Sequence, residues 1–165
     1  MMFAAVRGDS PRSMLPWRRL SARAALPAAG VLLASTGSPF SDEAISRAVE
    51  LAQGNRIRVI TIARIHGSSF GLQHPGLMPN KKEKDAAQTL VTKAIKSLQR
   101  SGLKADGEVV ITRSPARSFT RAARAAGASH LVLDSPPGGL LTRLDTSATA
   151  RYLRFRLREV SLALV

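Results

Sequence analysis

The chain has 165 residues, a formal net charge of +14 and no cysteine. A length of this order fits one domain, and the missing cysteine excludes disulfides, thiolate metal sites and cysteine nucleophiles. No apolar run approaches the roughly 18 residues of a membrane span. So large a positive charge attracts nucleic acid, acidic lipid or acidic proteins. The codon bias of a GC-rich genome would produce the same arginine-rich and alanine-rich composition without any function.

Residues 1–29 show no usable periodicity and combine three prolines, scattered arginines and a single acidic residue. We interpret this segment as a disordered basic extension, or as a gene start placed too early, with Met14 as an alternative initiator. An organelle presequence also fits, because arginine and serine are present and acids are nearly absent. A secretory signal fits poorly, since no apolar segment follows the first charges. The folded domain is therefore predicted over residues 30–165.

Regular structure is predicted from Gly30 onwards. Val31–Ala34 is a short, continuously apolar run, as expected for a parallel strand that is covered on both faces. Ser41 can cap a following helix, which carries acidic residues in its first turn and ends at Gly54. Five apolar residues share one face of this helix: Ala44, Ile45, Ala48, Val49 and Ala52. A second strand is predicted over residues 57–62.

A long connection rich in glycine, proline and serine is predicted from His66 to Asn80. A second helix follows, and Gly102 lies just past its end. Its apolar residues keep helical spacing for three turns: Ala87, Leu90, Val91, Ala94, Ile95 and Leu98. The charged start of this helix, residues 81–85, is interpreted as a solvated segment.

Glu108–Thr112 has the pattern of a third strand. Ser114 is predicted to cap a third helix, with Pro115 at its first position and Gly127 at its end. The apolar spacing predicts a buried face on that helix made of Phe119, Ala122, Ala123 and Ala126. His130–Leu133 is a further apolar run and predicts the fourth strand.

Two patterns compete near the C-terminal end. Apolar residues alternate with arginines from residue 153 to residue 158, which is strand periodicity. A helix also fits the spacing, and its apolar face would then contain Ala148, Tyr152 and Phe155. We favour a helix over about residues 147–157.

A fifth strand is predicted over residues 160–165, where Val160, Leu162 and Leu164 give an apolar edge. An uncovered apolar edge is an aggregation hazard, so pairing with a second copy of the chain is predicted. Strands that alternate with helices of this length predict an α/β fold. Its sheet would be doubly wound, five-stranded and mostly parallel, with helices on both faces.

The order of these elements and several segments resemble the universal stress protein family over residues 30–165. The segments are 31–38, 41–52, the Ser114-Pro115 helix start, 127–133 and the run from Gly139 to Ser147. The resemblance implies an adenine nucleotide alpha hydrolase-like fold, often dimerised through its last strand. Many members of that family bind ATP at the carboxyl ends of strands one and four. The direction of the connections reverses between those strands, which independently favours a site there.

The chain departs from the family's ATP-binding pattern at most positions. The ATP-binding members carry an aspartate after strand one, where this chain has Thr36. After strand four they carry Gly-x-x-Gly, then nine residues, then Gly-Ser or Gly-Thr. Here Asp134 and Pro137 occupy the first two glycine positions, and the spacer is one residue short. Thr146 replaces the last glycine, and only Ser147 of the motif survives.

These changes predict that ordinary tight ATP binding is lost. Asp134 would place a negative charge beside an incoming triphosphate, and Pro137 has no N–H to donate. Arg143 could offset part of the lost donors, while Ser147 also fits a helix cap that needs no ligand. An ATP-binding alternative would use these residues: Thr36, Gly138, Gly139, Arg143, Thr146 and Ser147.

Other chemistry finds little support in the sequence. His66, His74 and His130 lack metal-ligand spacing and a carboxylate cluster. No serine has a convincing arrangement of histidine and aspartate, so no catalytic residue is predicted. We therefore predict a non-catalytic, cytoplasmic homodimer of the stress response that has no metal or cofactor and acts through a protein partner. ATP is the alternative cofactor.

The C-terminal third is strongly basic. Arg117, Arg121 and Arg124 form one stripe on the third predicted helix. The stripe fits a solvated helix face, and it also fits a surface for phosphate backbones or acidic partners. A basic nucleic-acid-associated protein is accordingly the second alternative, with nonspecific binding and no membrane partner. Base readout would call for exposed aromatic residues, which the sequence pattern does not reveal.

Overall fold

The computed structural model describes the backbone of residues 29–64, 78–134 and 140–165, with their side chains apart from those of 64 and 140–146. Strands and helices alternate along these ranges. They are β1 Val31–Ser35, α1 Asp42–Ala52, β2 Ile57–Arg64, α2 Lys81–Arg100, β3 Ala105–Thr112, α3 Pro115–Ala126, β4 His130–Asp134, α4 Leu140–Arg156 and β5 Ser161–Leu164. The strands pair in parallel in the order β3-β2-β1-β4-β5. The predicted doubly wound α/β fold is confirmed.

The sheet separates two cores, and β1 contributes to both. Val31 and Leu33 pack with the buried residues of α1 and α2, whereas Leu32 and Ala34 pack with those of α3 and α4. Successive side chains of a strand point to opposite faces, so a strand with both faces covered is apolar throughout. All five residues of β1 are buried, which confirms the interpretation of this run.

Helix α1 begins and ends as its sequence predicts. The Ser41 hydroxyl accepts a hydrogen bond from the Ala44 N–H at 3.1 Å, and acidic residues occupy the first turn. At the other end Gln53 has φ 46° and Gly54 has φ 83°, which are left-handed conformations that stop a helix. The face predicted to be apolar is the one that packs on the sheet.

Helix α2 has a start that the sequence analysis missed. Asn80, assigned to the preceding connection, accepts the Glu83 N–H at 2.8 Å, and Glu83 accepts the Asn80 N–H at 2.8 Å. This reciprocal capping box gives Glu83 a structural task beyond solvation. The predicted apolar face of α2 is confirmed. The rest of the predicted connection, residues 66–77, lies outside the described residues.

Two boundaries around β3 differ from the prediction. β3 begins at Ala105, because Asp106 and Gly107, which are poor strand formers, still pair with β2. A side chain at position 107 would lie 2.7 Å from the Val59 carbonyl oxygen, so glycine permits the close approach there. Ser114 occupies the position before α3, but its side chain makes no capping hydrogen bond, and the predicted cap is wrong in that respect.

Helix α4 corrects the sequence analysis in two ways. It begins at Leu140 rather than near Ser147, because the chain from Leu140 onwards contains no glycine or proline that would delay a helix. Among the side chains described from residue 147 onwards, its buried residues are Thr149, Ala150 and Leu153. The predicted face was wrong: Ala148 and Phe155 are exposed and Tyr152 is half-buried. Both sets of residues have helical spacing, so periodicity alone could not choose between them.

The described chain begins one residue before the predicted start of the domain, and its last strand lies within the predicted range. Ala29, placed at the end of the predicted extension, is buried and donates its N–H to the Ala126 carbonyl at 2.7 Å. Residues 1–28 lie outside the described residues. β5 spans Ser161–Leu164 at one edge of the sheet. No helix within the described ranges has the length and apolar character needed to cross a membrane.

Candidate functional site

The candidate site lies where β1 and β4 end side by side. β1 is central: the chain runs outward from it through β2 to β3 on one side, and then crosses back to continue with β4 and β5 on the other side. In parallel sheets a crevice opens at the carboxyl ends of the strands at this point of reversal. Ser35, the last residue of β1, is paired in register with Asp134, the last residue of β4.

The turn after β1 is held by its own side chains. The buried Ser35 hydroxyl donates to the Ser38 carbonyl at 2.7 Å and lies 3.0 Å from the Ser38 hydroxyl. Gly37 has φ 100°, and a side chain at this position would lie 2.9 Å from the Ile62 carbonyl oxygen. Only glycine suits both conditions. The turn therefore presents Thr36, which is half-buried, in a fixed position.

Asp134 has a partner that the sequence analysis did not anticipate. Its side chain is 3 % exposed and accepts the Ser41 N–H at 2.7 Å and the Ser41 hydroxyl at 3.2 Å. Burial raises the pKa of the Asp134 carboxyl above its ordinary value of 3.8, and nearby Glu43 adds to the rise, while the Ser41 hydrogen bonds oppose it. A carboxylate of the protein itself thus occupies the donors at the start of α1, beside the crevice.

The second half of the expected anion site does not match the sequence prediction. Ser147 is exposed and lies about two turns inside α4, so it is not a helix cap. The unpaired N–H groups of a helix belong to its first four residues, here those from Leu140 onwards. Arg143 and Thr146 lie on the same helix. Gly138 and Gly139 lie outside the described residues, as do the side chains of Arg143 and Thr146.

A cavity of about 330 Å³ adjoins the crevice on its β2 side. Thr36 and Gly37 form one wall, and Ile62 and Ala63 of β2 lie beside them. The α2 side is lined mainly by apolar residues: Pro79, Ala86, Ala87 and Leu90. The charged residue among the lining side chains is Glu83, which already caps α2. The cavity can receive an uncharged group, but its described lining supplies no cation for a phosphate.

The described residues show no assembled catalytic or metal centre. They contain no group of three or more His, Asp or Glu side chains that could hold a metal ion. Ser35 and Ser38 contact each other rather than a histidine. His130 begins β4 and therefore lies at the opposite end of the strands from the crevice. Its Nδ1 is buried without a described hydrogen-bond partner.

A parallel sheet in this order, with its crevice at the point of reversal, defines a doubly wound α/β protein. The model of the universal stress protein family matches residues 30–154, and the chain belongs to that family. The family prediction made from the sequence is confirmed. A comparison with curated proteins found no match.

Solved structures agree on the fold. A protein of the universal stress protein family from Burkholderia pseudomallei has 20% identity and a TM-score of 0.59, over 82% of this chain and 95% of that one. The universal stress protein from Archaeoglobus fulgidus in complex with dAMP has 13% identity and a TM-score of 0.58, over 84% and 98%. A universal stress protein in complex with cAMP has 16% identity and a TM-score of 0.56, over 84% and 97%.

Proposed function

We propose that the protein is a non-catalytic, cytoplasmic universal stress protein that acts as a homodimer and has lost ordinary ATP binding. The contact between Asp134 and Ser41 carries this proposal. The buried carboxyl lies at the end of β4 and uses the N–H and hydroxyl donors at the start of α1. When ionised, it repels a phosphate from the same crevice. The absence of cysteine is compatible with a reducing compartment.

Two further observations support the loss of ATP binding. Ser147, the one residue of the expected motif that survives, lies inside α4 rather than at its start, so its N–H is committed to the helix. The described lining of the cavity beside Thr36 is mainly apolar, and its one charged residue, Glu83, is acidic. Neither feature attracts a triphosphate.

Calorimetric titration of the full chain tests this proposal. Mg-ATP, dAMP and cAMP should each show no saturable binding tighter than about 1 mM. The variant Asp134→Asn serves as a control of nearly the same shape without the charge. Tighter binding of ATP by the variant than by the native chain would show that the carboxylate opposes phosphate. Micromolar binding of ATP by the native chain would overturn the proposal.

The ATP-dependent regulator is the second candidate, because relatives of the same fold are solved with dAMP and with cAMP. In this candidate the cavity beside Thr36 would receive the nucleoside, and the start of α4 with Arg143 would contact the phosphates. The same titration separates the two candidates. Under the second candidate, Thr36→Val should weaken a measurable affinity for ATP, whereas under the first there is no affinity to weaken.

The proposed homodimer is supported by the exposed side of β5. β5 is an edge strand with β4 on its one described side, and Leu164 is 44 % exposed. Leu164→Lys should shift the protein from dimer to monomer on a sizing column, because a charge on an edge strand opposes pairing. Ile111→Lys is the matched control, since Ile111 is 37 % exposed on β3, the opposite edge. A dimer that survives Leu164→Lys but not Ile111→Lys would place the interface at the other edge.

A further inference from the structure

Seven arginines lie on α3, on α4 or just after α4, the helices that cover one side of the sheet, and we call this set the arginine face. Its members are Arg117, Arg121, Arg124, Arg151, Arg154, Arg156 and Arg158, and all are exposed. None of them makes an ion pair with a carboxylate among the described side chains. Exposed like charges at helical spacing repel one another, so ion pairing within the fold does not explain these arginines.

The two helices bring Arg124 and Arg156 of the arginine face together at their C-terminal ends. Both follow parallel strands on the same side of the sheet, so they run in the same direction. The Arg124 guanidinium donates to the Arg156 carbonyl at 3.0 Å. A groove of about 420 Å³ opens there, and its lining includes Arg124, Phe155, Arg156, Arg158 and Glu159. A single acidic residue therefore accompanies three arginines in the described lining.

Aromatic rings lie among these charges. Phe155 is 66 % exposed, and the guanidinium carbon of Arg158 lies 5.7 Å from its ring centroid. The guanidinium carbon of Arg156 likewise lies 5.7 Å from the centroid of the Tyr152 ring. A guanidinium near an aromatic ring can make a cation–π contact and still donate its N–H groups to an anion. Helical spacing predicted both rings on a buried face, so this arrangement was not expected from the sequence.

We propose that this groove binds single-stranded nucleic acid. The arginines contact the phosphates, and an unpaired base stacks on Phe155 or on the guanidinium beside it. Favourable charges at a helix C-terminus explain Arg124 on α3 and Arg154 and Arg156 on α4. They do not explain the exposed phenyl ring of Phe155. A duplex keeps its bases stacked on each other, and an acidic peptide supplies charge without flat bases. Single strands alone use both features of the groove.

Fluorescence anisotropy of the full chain with a labelled oligo(dT) of about 12 nucleotides tests this proposal. Binding should weaken as salt is raised, and removing one phosphate contact by Arg158→Gln should reduce the magnitude of the logarithmic salt slope by about 0.7. Arg100→Gln is the matched control, because Arg100 is an exposed arginine in the last turn of α2, on the other side of the sheet. It should leave the slope nearly unchanged.

Substitutions of Phe155 distinguish base stacking from the attraction of phosphates by charge. Phe155→Leu should lower the affinity for oligo(dT) by at least about fivefold without changing the salt slope, and Phe155→Trp should retain it. A duplex of equal charge should bind several-fold more weakly than the single strand. Equal losses from Arg158→Gln and Arg100→Gln, or no effect of Phe155→Leu, would overturn the proposal. Equally tight binding of polyglutamate, unaffected by Phe155→Leu, would assign the groove to acidic proteins instead.

Discussion

The two helix layers differ in charge far more than in packing. On the α1 side, Arg47 pairs with Glu50 at 2.8 Å. Two further pairs belong to the sheet itself, with Arg56, just before β2, at 3.0 Å from Asp106 and Arg58 at 3.3 Å from Glu108. Alternation along β2 places Arg58 on the same face as Ile60 and Ile62, which is the face that α3 and α4 cover. The arginine face on the helices of that side makes no ion pair with a carboxylate among the described side chains.

The difference in charge between the two helix layers is not required for folding, because both layers pack in the same way. Each layer buries a continuous apolar cluster against the sheet. Apart from the hydrogen bond of Arg124 to the Arg156 carbonyl, the arginine face adds no hydrogen bond or ion pair to the described fold, as expected of a surface kept for binding.

Two matched side-chain truncations test whether the two helix layers are packed equally well. Leu98 is a fully buried residue of α2, and Leu153 of α4 is 1 % exposed. Leu98→Ala and Leu153→Ala should each lower the free energy of unfolding by about 3 kcal/mol, because each removes a buried isobutyl group and leaves a cavity. Urea denaturation of both variants measures the effect. A loss at Leu153 below about 1 kcal/mol would show that the α4 layer is loosely packed and would weaken the comparison.

Much of this fold could be predicted because its signals are local. The apolar run at Val31–Ser35, the Ser41 cap and the apolar face of α2 each reflect a rule that acts within a few residues. β3 shows the limit of such rules. Asp106 and Gly107 do not favour a strand, yet they pair with β2 because Gly107 allows the close approach to Val59.

The site was harder to predict because its contacts join distant parts of the chain. Asp134 and Ser41 are 93 residues apart, and nothing in their local patterns indicates that they meet. The parallel pairing of β1 with β4 would have suggested that Asp134 and Ser41 lie close together, since both strands have their carboxyl ends at the same end of the sheet. The exposure of Phe155 was hidden for another reason: two sets of residues on α4 have equally good helical spacing, and only packing against the sheet selects one.

The contribution of Asp134 to the free energy of unfolding should depend on pH. Its pKa is raised in the folded protein, so the folded state holds the proton more tightly than the unfolded chain does. This contribution to stability is therefore present at low pH and is lost as the pH rises from about 3.8 through the folded pKa. Relative to Asp134→Asn, the native chain should become less stable over that interval. Urea unfolding of both proteins at several pH values measures the difference, and a relative gain with rising pH would contradict it.

The same substitution, arginine to glutamate, made once in each helix layer tests whether the two layers differ in electrostatic energy. Arg47 has Glu43 four residues before it and Glu50 three residues after it, whereas Arg121 has Arg117 and Arg124 at the same spacings. Charge reversal should therefore act with opposite signs. Arg47→Glu should lower the free energy of unfolding by about 1 kcal/mol, and Arg121→Glu should raise it by about 1 kcal/mol.

Salt decides whether these two effects are electrostatic. At about 1 M salt the Debye length falls to about 3 Å, so both changes in the free energy of unfolding should shrink toward zero. Arg121→Gln, which removes the repulsion without adding attraction, should give about half the gain of Arg121→Glu at low salt. If Arg121→Glu instead destabilises the protein at low salt, Arg121 has a stabilising partner. The arginine face would then belong to the architecture of the fold rather than to a surface kept for binding.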